Sequence, residues 1–154
     1  MTYRIRRGVL DDAELLTHFN HEMARESEDK PLDLARLKAG ITALLNNPSD
    51  GYYLIAEDDR GEAAGALMLT FEWSDWRNGR FWWIQSVYVR PEFRRTGVYR
   101  ALHAHVRDAA RADRNACGLR LYVERENTGA QATYHAMGMV ETHYRLYEEE
   151  FVRG

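Results

Sequence analysis

Gln85-Ser86-Val87-Tyr88-Val89-Arg90-Pro91-Glu92-Phe93-Arg94-Arg95-Thr96-Gly97-Val98-Tyr99-Arg100-Ala101-Leu102 is the stretch whose reading decides the fold. Val87, Tyr88 and Val89 are the β-branched and aromatic residues of a buried strand, and Pro91 ends it because proline has no N–H to give a central ladder. Beyond the turn, Val98, Ala101, Leu102, His105, Val106 and Ala109 recur at helical spacing, so a helix begins near Gly97. Its first N–H groups have no acceptor within the helix. Together with Arg94, Arg95 and Arg100 they form a positive pocket suited to phosphate. A helix terminus adds only about 0.3–1 kcal/mol per charge, so the arginines matter too.

Before this stretch, Tyr3-Arg4-Ile5-Arg6 alternates as a short strand, and Asp11 with Glu14 has the spacing of a capping box. Leu15, Leu16, Phe19 and Met23 form the stripe of a first helix, which loses its pattern in the polar run Arg25 to Pro31. A second helix follows Asp33, with Leu34, Leu37, Ile41, Leu44 and Leu45 on one face and Asn46-Asn47-Pro48 closing it. Gly51 to Glu57 and Ala64 to Trp73 read as a hairpin around Asp58-Asp59-Arg60-Gly61, with Gly65 marking a close approach. The polar turn 74–79 leads into a long strand, Phe81 to Val89. After the phosphate-facing helix fades near Asn115, Leu119 to Val123 supplies another strand, Asn127 to Met137 another helix, and Val140 to Phe151 an extended tail of one or two strands. This order of elements predicts a mixed α/β domain around one twisted sheet.

Composition narrows the class. The chain has 154 residues, 45% hydrophobic and 29% charged, which fits a single globular domain spanning 1–154. A formal net charge of -3 argues against a primary nucleic-acid binder. The single Cys117 cannot form an internal disulfide, no run approaches a membrane span, and the N-terminus lacks a signal pattern, so a cytoplasmic setting is expected. His103 and His105 stand two apart on a helix and point differently, and no Cys/His cluster has ligand spacing; no metal is expected.

A second constellation, Asn127, Ala130, Tyr134 and Gly138, lies beyond the fifth strand. Spacings of three and four place Asn127, Ala130 and Tyr134 along one helix face. Taken alone they read as an N-cap and a core aromatic. Together with Val89, Pro91, Arg94 and Gly97, however, they resemble the acetyl-CoA-binding motifs of the GNAT N-acetyltransferase superfamily. Tyr99 departs from that pattern, which usually has a small residue there, so its ring must turn away or the phosphate must shift.

The resemblance implies a GNAT-like α/β (α+β mixed) fold, with six to seven strands flanked by about four helices. It also implies acetyl-CoA as co-substrate, with Val87, Tyr88, Val89, Arg94, Arg95, Thr96, Gly97, Val98, Tyr99, Arg100, Asn127, Ala130 and Tyr134 around it. The expected activity is acetyl transfer to a primary amine, a small molecule ahead of a protein, by direct attack in a ternary complex. A non-catalytic acyl-CoA-binding module of the same fold is the alternative, and members of the family often pair, so a homodimer is expected. Attack on the thioester makes an oxyanion that needs a donor, for which the family implies the backbone N–H near Val87. The departing thiolate needs a proton, for which it implies Tyr134. An amine with a pKa of ~10.4 costs on the order of 4–5 kcal/mol to hold neutral at pH 7. The family's usual strand glutamate is replaced by Gln85 and Ser86, neither of which is a base. A water on Gln85, or a carboxylate from Glu22, Glu26 or Glu72, is the expected substitute. Trp73 and Trp83, with Trp76 and Trp82 nearby, offer either an aromatic wall for the acceptor or packing surface.

Overall fold

The computed structural model describes residues 2–28 and 32–151. They form two compact units, Met1–Leu121 and Tyr122–Gly154. In the first, the chain runs through β1 (Arg4–Arg7), a 3-10 turn (Leu10–Asp12), α1 (Ala13–Glu28), α2 (Leu34–Leu45), β2 (Gly51–Glu57), β3 (Ala63–Ser74) and a second 3-10 turn (Asp75–Arg77). It continues through β4 (Gly79–Val89), a third 3-10 turn (Pro91–Phe93), α3 (Val98–Ala112) and β5 (Ala116–Arg120). The second unit carries α4 (Thr128–Ala136), whose N-cap Asn127 accepts the Ala130 N–H at 3.1 Å.

The strands lie in sequence order in one sheet; β1 to β4 pair antiparallel and β5 joins β4 in parallel. A parallel join needs a crossover, and α3 supplies it. Successive side chains of β2 point to opposite faces, which divides the core in two. Leu54 and Ala56 pack with Leu67, Leu69, Trp82 and Ile84 under Val98, Leu102 and Val106 of α3. Tyr53 and Ile55 pack with Ala66 and Tyr88 against Leu16 and Phe19 of α1 and Ile41 of α2. With both faces covered, β2 is an almost unbroken apolar run. Burying side chains such as Leu102 and Val106 contributes roughly 1.5–3 kcal/mol each, and it fixes where α3 begins relative to the sheet.

The β2–β3 hairpin and α2 agree with the sequence reading, and Asp33 caps α2 by accepting the Arg36 N–H at 3.1 Å. Gly65 is where two strands and α3 crowd together: a Cβ there would stand 2.6 Å from the Tyr88 carbonyl oxygen and 3.1 Å from Val98. Other expectations need correction. The capping carboxylate before α1 is Asp12, which accepts the Val9 N–H at 2.7 Å, rather than the Asp11 and Glu14 pair. The helix does not break at Arg25; an Arg25–Glu22 ion pair one turn apart accompanies it to Glu28, and the remainder of the expected break, 29–31, lies outside the described residues. β5 starts three residues earlier than its apolar alternation suggests. Gly118 sets that register, since any Cβ there would stand 2.9 Å from the Phe81 ring, and Asn115 already accepts the Arg80 N–H at 2.7 Å. The sheet has five strands, not six to seven, because residues 140–151 join no ladder among the described residues. Apolar alternation makes a strand only where a neighbouring backbone accepts it.

Candidate active site

β4 is irregular at its C-terminal end. Ala66 opposes Tyr88 while Met68 opposes Gln85, so Ser86 and Val87 together face the single residue Leu67. This is a β-bulge, with Ser86 in the left-handed region at φ 52°. On its other edge β4 pairs with β5 only from Arg80 to Trp83, and from Ile84 to Val89 that edge has no β5 partner. The strand therefore opens where it bulges, which leaves backbone groups outside the ladder.

The turn after β4 is held by its own side chains. Thr96 donates to the Phe93 carbonyl, so its oxygen is the acceptor for the Tyr3 hydroxyl at 2.6 Å. Arg95 at φ 65° and Gly97 at φ 91° both lie in the left-handed region. A Cβ on Gly97 would meet nothing within 4 Å, so glycine is needed for its φ and not for room. Such a turn directs successive N–H groups to one side, as anion-binding nests do, and α3 starts directly after it, with first-turn N–H groups that have no acceptor within the helix.

The expected phosphate-binding residues are accordingly gathered in one turn, but Arg94 points elsewhere. Its Nε donates to the Val89 carbonyl at 3.0 Å and its Nη2 to both Glu26 oxygens at 3.0 and 2.9 Å. Glu26 also approaches the buried Tyr88 hydroxyl. Burial first, then the charge of Glu26 and a hydrogen bond to it, push that phenol up. Of the expected carboxylates, Glu26 thus meets Tyr88 of β4 and Arg94 of the turn after it, while Glu22 is bound by Arg25, which holds its carboxyl low. The third, Glu72, accepts from Arg120 at 2.6 Å and from the Trp83 indole at 3.2 Å, at the far end of β4. Gln85 donates to Thr70 Oγ1 at 2.5 Å. Trp82 is buried between Tyr52 and Phe71, Trp83 is half-buried on the opposite face, and Trp73 and Trp76 are exposed.

In the second unit, Asn127 spends its side-chain oxygen on the α4 cap, and burial pushes the Tyr134 phenol up. Among the described residues no group of three metal-ligating side chains forms, and no helix is long and apolar enough to cross a membrane. Sequence reasoning missed the bulge at Ser86, the Tyr3–Thr96 bond and the buried His103. The last was accessible, since Tyr99, His103 and Arg107 follow each other at intervals of four.

A mixed sheet whose fourth strand bulges, opens and passes through a left-handed turn into a helix is the architecture of an acyl-CoA-dependent transferase. The chain belongs to the acetyltransferase (GNAT) family, whose model matches residues 13–139. It is an acetyl-CoA-dependent acetyltransferase. A solved structure from Clostridium difficile 630, described as a possible acetyltransferase, is 40% identical, with 99% of this chain and 100% of that one covered and a TM-score of 0.91. A predicted acetyltransferase from Clostridium acetobutylicum, solved with acetyl-CoA, is 18% identical over 96% of each chain with a TM-score of 0.79, a likeness of fold. No curated protein matches the chain.

Proposed function

We propose that the protein transfers acetyl from acetyl-CoA to a primary amine of a small molecule, by direct attack while both substrates are bound. The observation that carries this reading is the opened, bulged end of β4 running into the left-handed turn at Arg95 and Gly97. The diphosphate of CoA would lie on the N–H groups of residues 95–100, with Arg95 and Arg100 as nearby charges. Arg94 joins it by exchanging Glu26 for phosphate. Pantetheine would run along the open edge of β4, bonded by the backbone of Val87 and Val89; Asn127 is the further pantetheine-bonding residue that the resemblance implies. The family match runs across both compact units, which supports reading the chain as one domain.

In the reaction the amine nitrogen forms its bond to the thioester carbon, and the carbonyl oxygen becomes an oxyanion that the N–H near Val87 stabilises. Collapse breaks the C–S bond, the thiolate takes the Tyr134 proton, and the proton lost by the amine restores the phenol through water. Gln85 has no basicity to offer. Its N–H is engaged by Thr70, so its carbonyl serves to accept a hydrogen bond from the amine or from a water. Glu26, freed when Arg94 turns to phosphate, is the carboxylate that would take the first proton, the one an ammonium sheds before attack; the second, lost on collapse, is the one that restores the phenol. The test is thiol release from acetyl-CoA across a panel of primary amines, aminoacyl peptides and lysine peptides. Turnover with a small amine supports the reading; turnover confined to peptides would replace the acceptor, and CoA binding without turnover on any amine would replace the transfer step.

A further inference from the structure

The transfer chemistry leaves one fully buried titratable group unused, the imidazole of His103 on α3, which is 0% exposed. The Tyr99 hydroxyl lies 3.0 Å from its Nδ1 and Arg107 Nη2 lies 3.3 Å from its Nε2. The Tyr99 and His103 rings meet edge-on, with centroids 5.5 Å apart at 63°. A guanidinium can only donate, so Nε2 must be the acceptor. The ring proton therefore sits on Nδ1 and is donated to the Tyr99 oxygen. Burial, and then the Arg107 charge, lower the imidazole pKa and keep this arrangement neutral.

The direction of the Tyr99 ring is what needs explaining. Tyr99 is the second residue of α3, and helical side chains lean toward the N-terminus. That lean would bring the ring toward the Gly97 turn, where a Cβ would meet nothing within 4 Å. The ring instead packs against the core cluster beneath α3, and its hydroxyl is hydrogen-bonded to His103. We propose that His103 is a positioning residue for CoA: it holds the Tyr99 ring along α3, and so keeps the N–H groups at the start of the helix open to the diphosphate. The family pattern has a small residue at position 99; here a bulky one is restrained by the residue four positions on. The inference rests on the diphosphate site proposed above.

Calorimetric titration of the full chain with CoA tests it, alongside steady-state kinetics. His103→Leu should weaken CoA about three- to tenfold, the shift one net hydrogen bond can supply, and raise KM for acetyl-CoA with kcat unchanged. His103→Asn, whose amide N–H can stand in for Nδ1–H, should recover the parent affinity. In a Tyr99→Ala background His103→Leu should have no further effect, because no ring remains to be held. Tyr99→Phe removes the bond without altering the buried imidazole, and should reproduce the loss even if His103→Leu folds poorly. An unchanged affinity in both His103→Leu and Tyr99→Phe would overturn the proposal, as would an equal loss with and without the Tyr99 ring. A parent chain that does not bind CoA overturns the diphosphate site itself, and this proposal with it.

Discussion

At the scale of single residues, the proposed reaction divides its proton work between Tyr134 and Gln85. A phenol raised by burial remains protonated at neutral pH, so in that proposal Tyr134 enters as a donor and not as a base. An amide cannot ionise in this range, so Gln85 can orient a proton but not hold one. Replacing Tyr134→Phe should then lower kcat about a hundredfold, the lower end of what a positioned acid supplies, and leave KM for acetyl-CoA nearly unchanged. Stopped-time assays at saturating acetyl-CoA and amine measure this; an unaltered kcat would remove the phenol from the leaving-group step. Tyr99 shows a different use of the same side chain, since its hydroxyl is bound within its own helix by His103.

At the scale of elements, the β4–α3 connection combines a bulge, three left-handed residues and a helix start within thirteen residues, Ser86 to Val98. If phosphate rests on this turn, Arg95→Glu should weaken CoA binding, and the difference from the parent should shrink as salt rises, because exposed charges are screened beyond about 10 Å at 0.1 M. Calorimetry at two salt concentrations decides it, and equal affinities would move the phosphates elsewhere. Gly65 makes a prediction of stability: a methyl group 2.6 Å from the Tyr88 carbonyl forces β3 and β4 to shift, so Gly65→Ala should cost about 1–3 kcal/mol in denaturant unfolding. Much of this connection could be read from local chemistry, because Pro91 stops a strand, Gly97 permits a left-handed φ, and the stripe from Val98 to Ala109 has one period. The bulge could not, since nothing in Gln85-Ser86-Val87 distinguishes it from regular strand; the register of β3 opposite imposes it. Likewise the start of β5 depends on the Gly118–Phe81 contact between residues far apart in sequence. Asn127 was legible as a cap from spacing alone, whereas Tyr134, read as a core aromatic, is only half-buried; the roles of both toward a thioester come from the resemblance.

Across the whole first unit, the sheet is fastened at its β1 edge by charge as well as by the packing of Tyr3 and Ile5 on the core. Arg6 bridges Asp12 through two bonds of 2.8 and 2.9 Å and Glu57 through one of 2.9 Å, and Arg4 adds a second bond to Glu57 at 2.8 Å. Both carboxylate side chains are only 11% exposed, so the network ties β1, β2 and the entrance to α1 where solvent screens little. The Arg4 hydrogen bond, and then that of Arg6, hold the Glu57 carboxyl below its ordinary 4.5, and the Arg6 bond holds that of Asp12 below 3.8. The unfolded chain therefore takes up these protons first as pH falls. The stabilisation is complete above about pH 5, begins to fade below those ordinary values, and is lost as pH drops through the lower values of the folded chain. Removing Arg6 leaves Asp12 without its cation while Arg4 still holds Glu57, so Arg6→Met should destabilise by about 1–3 kcal/mol at pH 7. The same variant should flatten the acid limb of the curve of melting temperature against pH between 5 and 3, because the folded carboxylates would then titrate closer to their unfolded values. A variant that loses stability at pH 7 but keeps the parent's acid slope would show that Arg6 acts by packing, and that the carboxylates draw their low pKa from elsewhere.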